Sequence, residues 1–172
     1  MILEIIVPEG ENFSDLTSLL PKFISYVLSF IYIGIYWNKH HHLLQGISRV
    51  NGKIHWTNLH LLFWLSLAPI SRGWIGEHFF AKATIKLYGI ILFMATISFW
   101  TLQNVIIACE GKKSLLAKAV GKDFKGKMSL VLYLAAIVLS FFNEWIAGAI
   151  YSIVALIWLI PDKRIEKVIY GK

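Results

Sequence analysis

Five stretches of this 172-residue chain are apolar for long enough to cross a hydrocarbon core as helices, and nothing else in the sequence restricts the fold as much. A helical span needs about 20 predominantly apolar residues. The first, "PKFISYVLSFIYIGIYWNKHH", runs from about 21 to 41 and opens on Pro21, which suits a helix start. The second, "IHWTNLHLLFWLSLAPISRGW", covers about 54 to 74 and is expected to kink or end near Pro69. The third covers about 83 to 109. The fourth (128–142) and the fifth (144–161) are expected to form a tight hairpin around Asn143 and Glu144. No period-two alternation or Gly-rich phosphate loop interrupts the pattern. The expected fold is an all-α integral membrane protein forming one transmembrane domain over residues 1–172.

Composition and charge placement fit that reading. Hydrophobic residues make up 57% of the chain and charged ones only 16%. The net charge of +7 alone would suit either nucleic acid or anionic lipid. The connection at 39–58 holds Lys39, Arg49 and Lys53, the 110–127 connection holds six lysines, and the tail from 162 holds four basic residues. The opposite side carries only Lys22, Arg72, Lys82 and Lys86. The positive-inside rule therefore makes the three basic segments cytoplasmic, with the C-terminus inside. This explains the charge without nucleic acid, and the basic flanks are expected to lie against anionic headgroups. The single cysteine, Cys109, has no internal partner.

The run "WNKHHHLL" raises a metal or haem question. His40, His41 and His42 stand about 100° apart on a helix and fan around it, whereas one helix presents metal ligands at i and i+4. No metal site is expected. Helical spacing instead pairs Trp37 with His41, Asn38 with His42, and Trp56 with His60 and Trp64. Gln103, Asn104, Ser98 and Thr101 suit hydrogen bonds between helices. Glu4 and Glu144 are weak candidates for concentrating cations at an outer pore mouth. Neither a catalytic constellation nor paired intramembrane carboxylates occur, so no enzyme activity and no cofactor are expected. A transporter usually shows buried charges or broken helices, of which only Pro69 is a hint.

The stretches "ILEIIVP", "LLPKFISYVLSFIYIGIYWNKHHHLL", "VNGKIHWTNLHLLFWLSLAP", "YGIILFMATISFWTLQNVII" and "YLAAIVLSFFNEWIAGAIYSIVALIWLIPDKRIE" resemble the single-repeat bacterial members of the transmembrane protein 175 family of potassium channels. The resemblance covers essentially the whole chain. It implies six helices per repeat, a homotetramer whose first helices surround the pore, passive potassium conduction, and residence in a bacterial inner membrane. It also implies that a polar-aromatic layer supports the pore helix, and it makes Trp37, His41, His42, Asn58 and His60 the candidates for that layer. The same residues could equally serve as interfacial anchors.

The family's diagnostic R-x-x-x-F-S-D motif lies at the cytoplasmic start of its first helix. Phe13, Ser14 and Asp15 spell F-S-D here, but Glu9 stands in the arginine position and the triplet follows "VPEG" in an expected outer loop. It is read as a chance tripeptide, with Ser14 or Asp15 a possible helix cap. The opening "MILEIIV" has no basic lead-in and is too short for a signal peptide. It reads as the outer stub (1–7) of a first helix whose remainder, with the selectivity filter, is missing from this chain. Two functions stay open: a potassium channel subunit incomplete as written, and a non-conducting accessory or degenerate membrane subunit.

Overall fold

The computed structural model describes residues 20–45, 47, 49–77, 82–111, 114–121 and 123–159. The stub at 1–7 with Glu4, the F-S-D triplet and the tail from 160 lie outside the described residues. The elements are α1 (Leu20–Gln45), α2 (Gly52–Glu77), α3 (Lys82–Glu110), the short α4 (Leu115–Val120), α5 (Phe124–Leu139) and α6 (Glu144–Leu159). There is no strand among the described residues. The 26 residues of α1 and of α2 make each roughly 39 Å long, and the 29 of α3 make it roughly 43 Å. Among the described helices, α3 is long and apolar enough to cross a membrane by length and composition, and α6 is apolar but shorter.

Side-chain caps set most of the helix starts. Asn51 accepts from the Ile54 amide at 2.9 Å ahead of α2, and Ser114 accepts from the Ala117 amide ahead of α4. Asp123, left-handed at φ 40°, accepts from the Gly126 amide, so α5 begins at Phe124, four residues before the apolar stretch at 128. Asn143 accepts from the Trp145 and Ile146 amides and starts α6 directly after the 140–142 turn. Each cap satisfies amides that a helix leaves without partners. Gly111, at φ +92°, ends α3 in a conformation that side chains disfavour. Pro69 neither ends α2 nor forms its boundary: the helix runs eight residues further, to Glu77.

The central element is α3. It packs most extensively against α2, then against α5 and α6, while α1 lies on α2 and touches α6. One core cluster joins Tyr32, Ile85, Tyr88, Leu92, Tyr133, Ala136, Ala147, Tyr151 and Val154 from α1, α3, α5 and α6. Its tyrosine rings meet edge-on, with Tyr88 and Tyr151 at 5.6 Å and Tyr32 and Tyr88 at 6.1 Å. Gly89, with no side chain, leaves room for the Tyr151 ring. A second cluster, Leu43, Ile54, Leu61, Leu102, Ile106 and Leu116, closes the end of the bundle where α1 meets α2. The outside is apolar as well: Phe30, Phe63, Val131, Phe142 and Leu156 are each more than half exposed.

Candidate functional site: a polar layer at the basic end of the bundle

Chain geometry gathers one set of segments at one end. α1 runs toward the 46–51 loop and α2 runs away from it. α3 returns and brings Cys109 within 3.1 Å of the Asn51 side-chain amide, which donates to its sulfur. α5 starts at this end and α6 finishes there. The described residues of 36–60, 96–127 and 158 therefore lie toward this end, and they include Arg49, Lys53, Lys118, Lys125 and Lys127.

Interhelical polar contacts concentrate toward this end. His40, 7% exposed, donates from Nε2 to the Asn58 side-chain oxygen at 2.5 Å, tying α1 to α2. Tyr36 shares a 3.2 Å bond with Thr96, and because the Thr96 hydroxyl already donates to the Leu92 carbonyl, Tyr36 is the donor. The Gln103 amide, buried on α3, donates to the Asp123 carboxylate at 3.1 Å, while that carboxylate also caps α5.

His60 sits in a directional chain. The Trp64 indole has only a donor, so its 3.0 Å bond makes His60 Nε2 the acceptor in the neutral ring. The ring proton then lies on Nδ1 and donates to Ser98 Oγ at 3.0 Å, and Ser98 donates onward to the Met94 carbonyl at 2.7 Å. Donors and acceptors alternate from α2 into α3, and each hydroxyl and ring nitrogen along the path is satisfied.

Lys39 turns inward rather than toward headgroups, contrary to the flank reading of its charge. Its ammonium lies over the Trp158 indole and 5.4 Å from the Phe99 ring centroid. Trp158 is held in place by donating to Ser129 Oγ at 2.7 Å. This cation–π arrangement ties α1 to α3 and α6, and Ser129 extends the connection to α5.

The structure places the candidate residues differently from one another. Asn58 and His60 take part in bonds between helices, and Trp37, 66% exposed, lies outside with its ring 6.4 Å from that of His40. His41 is exposed and accepts from Gln45 on its own helix at 2.9 Å. His42 is half-buried, and its Nδ1 has no partner among the described residues. His40, Lys39, Ser98 and Trp158 belong to the layer without having been singled out for it. A usable signal existed for His40: Tyr32, Tyr36 and His40 recur every four residues and continue to Leu43, which marks the packed face of α1. Of the four polar residues expected to join helices late in α3, Ser98 and Gln103 do so. Thr101 bonds back to the Ile97 carbonyl of its own helix, and Asn104 is exposed. No group of three metal-ligating side chains occurs among the described residues.

Comparison with known proteins gives consistent matches. The sequence profile of the family described as "Endosomal/lysosomal potassium channel TMEM175" matches residues 1–69. The chain is 54% identical over 167 residues to a potassium channel of Chryseobacterium sp., covering 97% of this chain and 87% of that protein. It is 24% identical over 173 residues to a potassium channel of Chamaesiphon minutus, covering 91% of this chain and 83% of that protein. The crystal structure of a lysosomal potassium-selective channel TMEM175 homolog from Chamaesiphon minutus superposes with a TM-score of 0.75 at 23% identity. That match spans 91% of this chain and 85% of the other, and it establishes a shared fold.

Proposed function

The chain belongs to the TMEM175 family of potassium channels, and on that premise we propose that it is a potassium-selective channel subunit conducting passively through the axis of a homotetramer. The family is one of channels rather than enzymes. The observation that carries the reading is the 54% identity to a named potassium channel along nearly the whole chain. The apolar exterior supports it, since large exposed apolar surface suits lipid rather than water. In this reading α1, α2, α3, α5 and α6 cross a bacterial inner membrane, with the basic end and the C-terminus in the cytoplasm. Potassium is the transported ion, and no cofactor takes part. The ion-selecting helix implied by the family lies outside the described residues.

The five described spans then act as the scaffold that holds that helix. The layer of His40, Asn58, His60, Ser98 and Lys39 fixes the relative height of the helices at the cytoplasmic level, with Trp37, His41 and His42 around it. A scaffold of this kind matters for conduction because a selective constriction works only when its lining is held in place. The test is potassium efflux from liposomes containing the protein as purified from its own membrane, with four chains per complex measured in the same preparation. Efflux of potassium well above sodium supports the proposal. A stable complex that passes neither ion alone, and conducts only when mixed with a longer relative, would replace it with an accessory-subunit role.

A further inference from the structure

We propose that Asn51–Gly52 is a latent deamidation site, where the chain's own backbone converts Asn51 to aspartate and isoaspartate, and that Cys109 on α3 holds the reaction in check. It is the one Asn-Gly step in the sequence. The chemistry takes water and no other reagent. The Gly52 amide nitrogen bonds to Asn51 Cγ, the Cγ–Nδ2 bond breaks, and the displaced nitrogen leaves as ammonia with the Gly52 amide proton. Water then opens the resulting cyclic imide at either carbonyl, giving aspartate or isoaspartate, whose backbone is longer by a methylene. Glycine favours the attack because no side chain crowds its nitrogen. Both residues are exposed, so water reaches them.

Packing does not call for a glycine here. A Cβ on Gly52 would meet nothing within 4 Å, and the residue opens α2, where alanine is the better helix former. Its amide is among the first of the helix and has no acceptor among the described residues, so the nucleophile is free. What opposes the reaction is the grip on Asn51. Its carbonyl accepts from the His55 amide at 3.0 Å, its side-chain oxygen accepts from the Ile54 amide at 2.9 Å, and its side-chain nitrogen donates to Cys109 Sγ at 3.1 Å. Closing the imide swings Cγ toward Gly52 and pulls both side-chain bonds apart. The first two bonds belong to α2 itself, and the third crosses to α3. Sulfur is a weak acceptor and this thiol is exposed, so the third is the one that can be lost while α2 stays folded. The product would alter the corner. No Asp or Glu occurs from Leu16 to Gly76, so aspartate at this position places the first acid in that stretch. Three residues on, Ile54 is buried in the second core cluster, and Asn58 further along bonds to His40. The extra methylene of isoaspartate shifts the turn that seats both. The inference holds whether or not the protein conducts.

The experiment incubates the whole protein at mildly alkaline pH and samples it over time. Each sample is cleaved after lysine under mildly acidic conditions, and the peptide His40–Lys53, "HHHLLQGISRVNGK", is analysed by mass for amide-to-acid conversion and for isoaspartate. The parent should react several-fold more slowly than the same peptide free in the same buffer. Cys109→Ala should react about threefold to tenfold faster than the parent, the strength of one ordinary hydrogen bond, while Cys109→Ser keeps an acceptor and stays near the parent. Gly52→Ala should stop the reaction with the fold intact, as followed by helical circular dichroism. If Cys109→Ala fails to fold, reversible methylthiolation of the parent thiol replaces it: the rate should rise on blocking and fall back on reduction. A parent as fast as the free peptide overturns the proposal, since the bonds then restrain nothing. So does an unchanged rate when Cys109 is replaced or blocked, or the absence of any product in both states.

Discussion

Replacing Gly89 with alanine probes the tightest packing in the bundle. A Cβ at this position would fall 2.0 Å from the Tyr151 hydroxyl oxygen, 2.8 Å from the carbon bearing it and 3.0 Å from Ile137 Cγ1. The Tyr151 ring has little room to move away. It is 2% exposed, stands 5.6 Å edge-on from Tyr88 and 6.1 Å from Tyr133, and its own carbonyl accepts from the Tyr32 hydroxyl at 2.6 Å. Overpacking a filled core costs about 1–3 kcal/mol, and two contacts under 3 Å against a pinned ring put Gly89→Ala near the upper end, at about 2–3 kcal/mol. The Tyr151 hydroxyl has no hydrogen-bond partner among the described residues. A buried unpaired hydroxyl costs about 1–3 kcal/mol, so Tyr151→Phe alone should be neutral or stabilise by about 1 kcal/mol. Combined with Gly89→Ala, it removes the closest contact but leaves the 2.8 Å one, and should recover only part of the loss. Unfolding in mild detergent, followed by helical circular dichroism, measures the three variants as a double-mutant cycle. A Gly89→Ala protein within about 0.5 kcal/mol of the parent, or a clearly destabilising Tyr151→Phe, would refute this packing.

Other expectations concern the polar layer and the caps. Asn58→Ala leaves the buried His40 imidazole without its acceptor and should cost about 1–3 kcal/mol in the same unfolding assay, whereas His41→Ala should stay within about 0.5 kcal/mol. Lys39→Met keeps the apolar stem but removes the cation from the Trp158 and Phe99 rings. It should cost about 1–2 kcal/mol and shift tryptophan emission. Ser98→Ala takes the acceptor from His60 Nδ1 and should lower thermal stability more than Thr101→Ala, which loses a bond within one helix only. Asn143→Ala removes the α6 cap and should cost about 1 kcal/mol, seen as earlier exchange of the Trp145 and Ile146 amides.

Sequence exposes the helical character of the chain because hydropathy and helix length are local properties. It exposes the caps less well. Asp123 and Ser114 lie in a lysine-rich linker that hydropathy reads as featureless, so α4 and the early start of α5 did not stand out. Pro69 reads from its missing amide as either a kink or an end of the helix, and α2 continues through it. The histidine run shows where local information stops. Spacing ranks Trp37 with His41 and Asn38 with His42 as neighbours on one helix, but which face of α1 meets α2 is decided by packing over the whole bundle. That packing turns His40 to Asn58 and leaves His41 in contact with its own helix. The inward turn of Lys39 has the same origin: charge counting assigns it to a flank, and only the arrival of Trp158 from α6, 119 residues away in the chain, gives its ammonium an aromatic surface.

The central claim is that this bundle serves a potassium-selective pore, and the bi-ionic reversal potential tests it most directly. The protein, purified from its own membrane with its subunits associated, is placed in a planar bilayer with potassium chloride on one side and an equal concentration of sodium chloride on the other. The account predicts a reversal potential displaced far from zero in the direction of potassium selectivity, abolished when both sides hold sodium alone. A current reversing at zero, or a tetramer that carries no current in either salt, would contradict it.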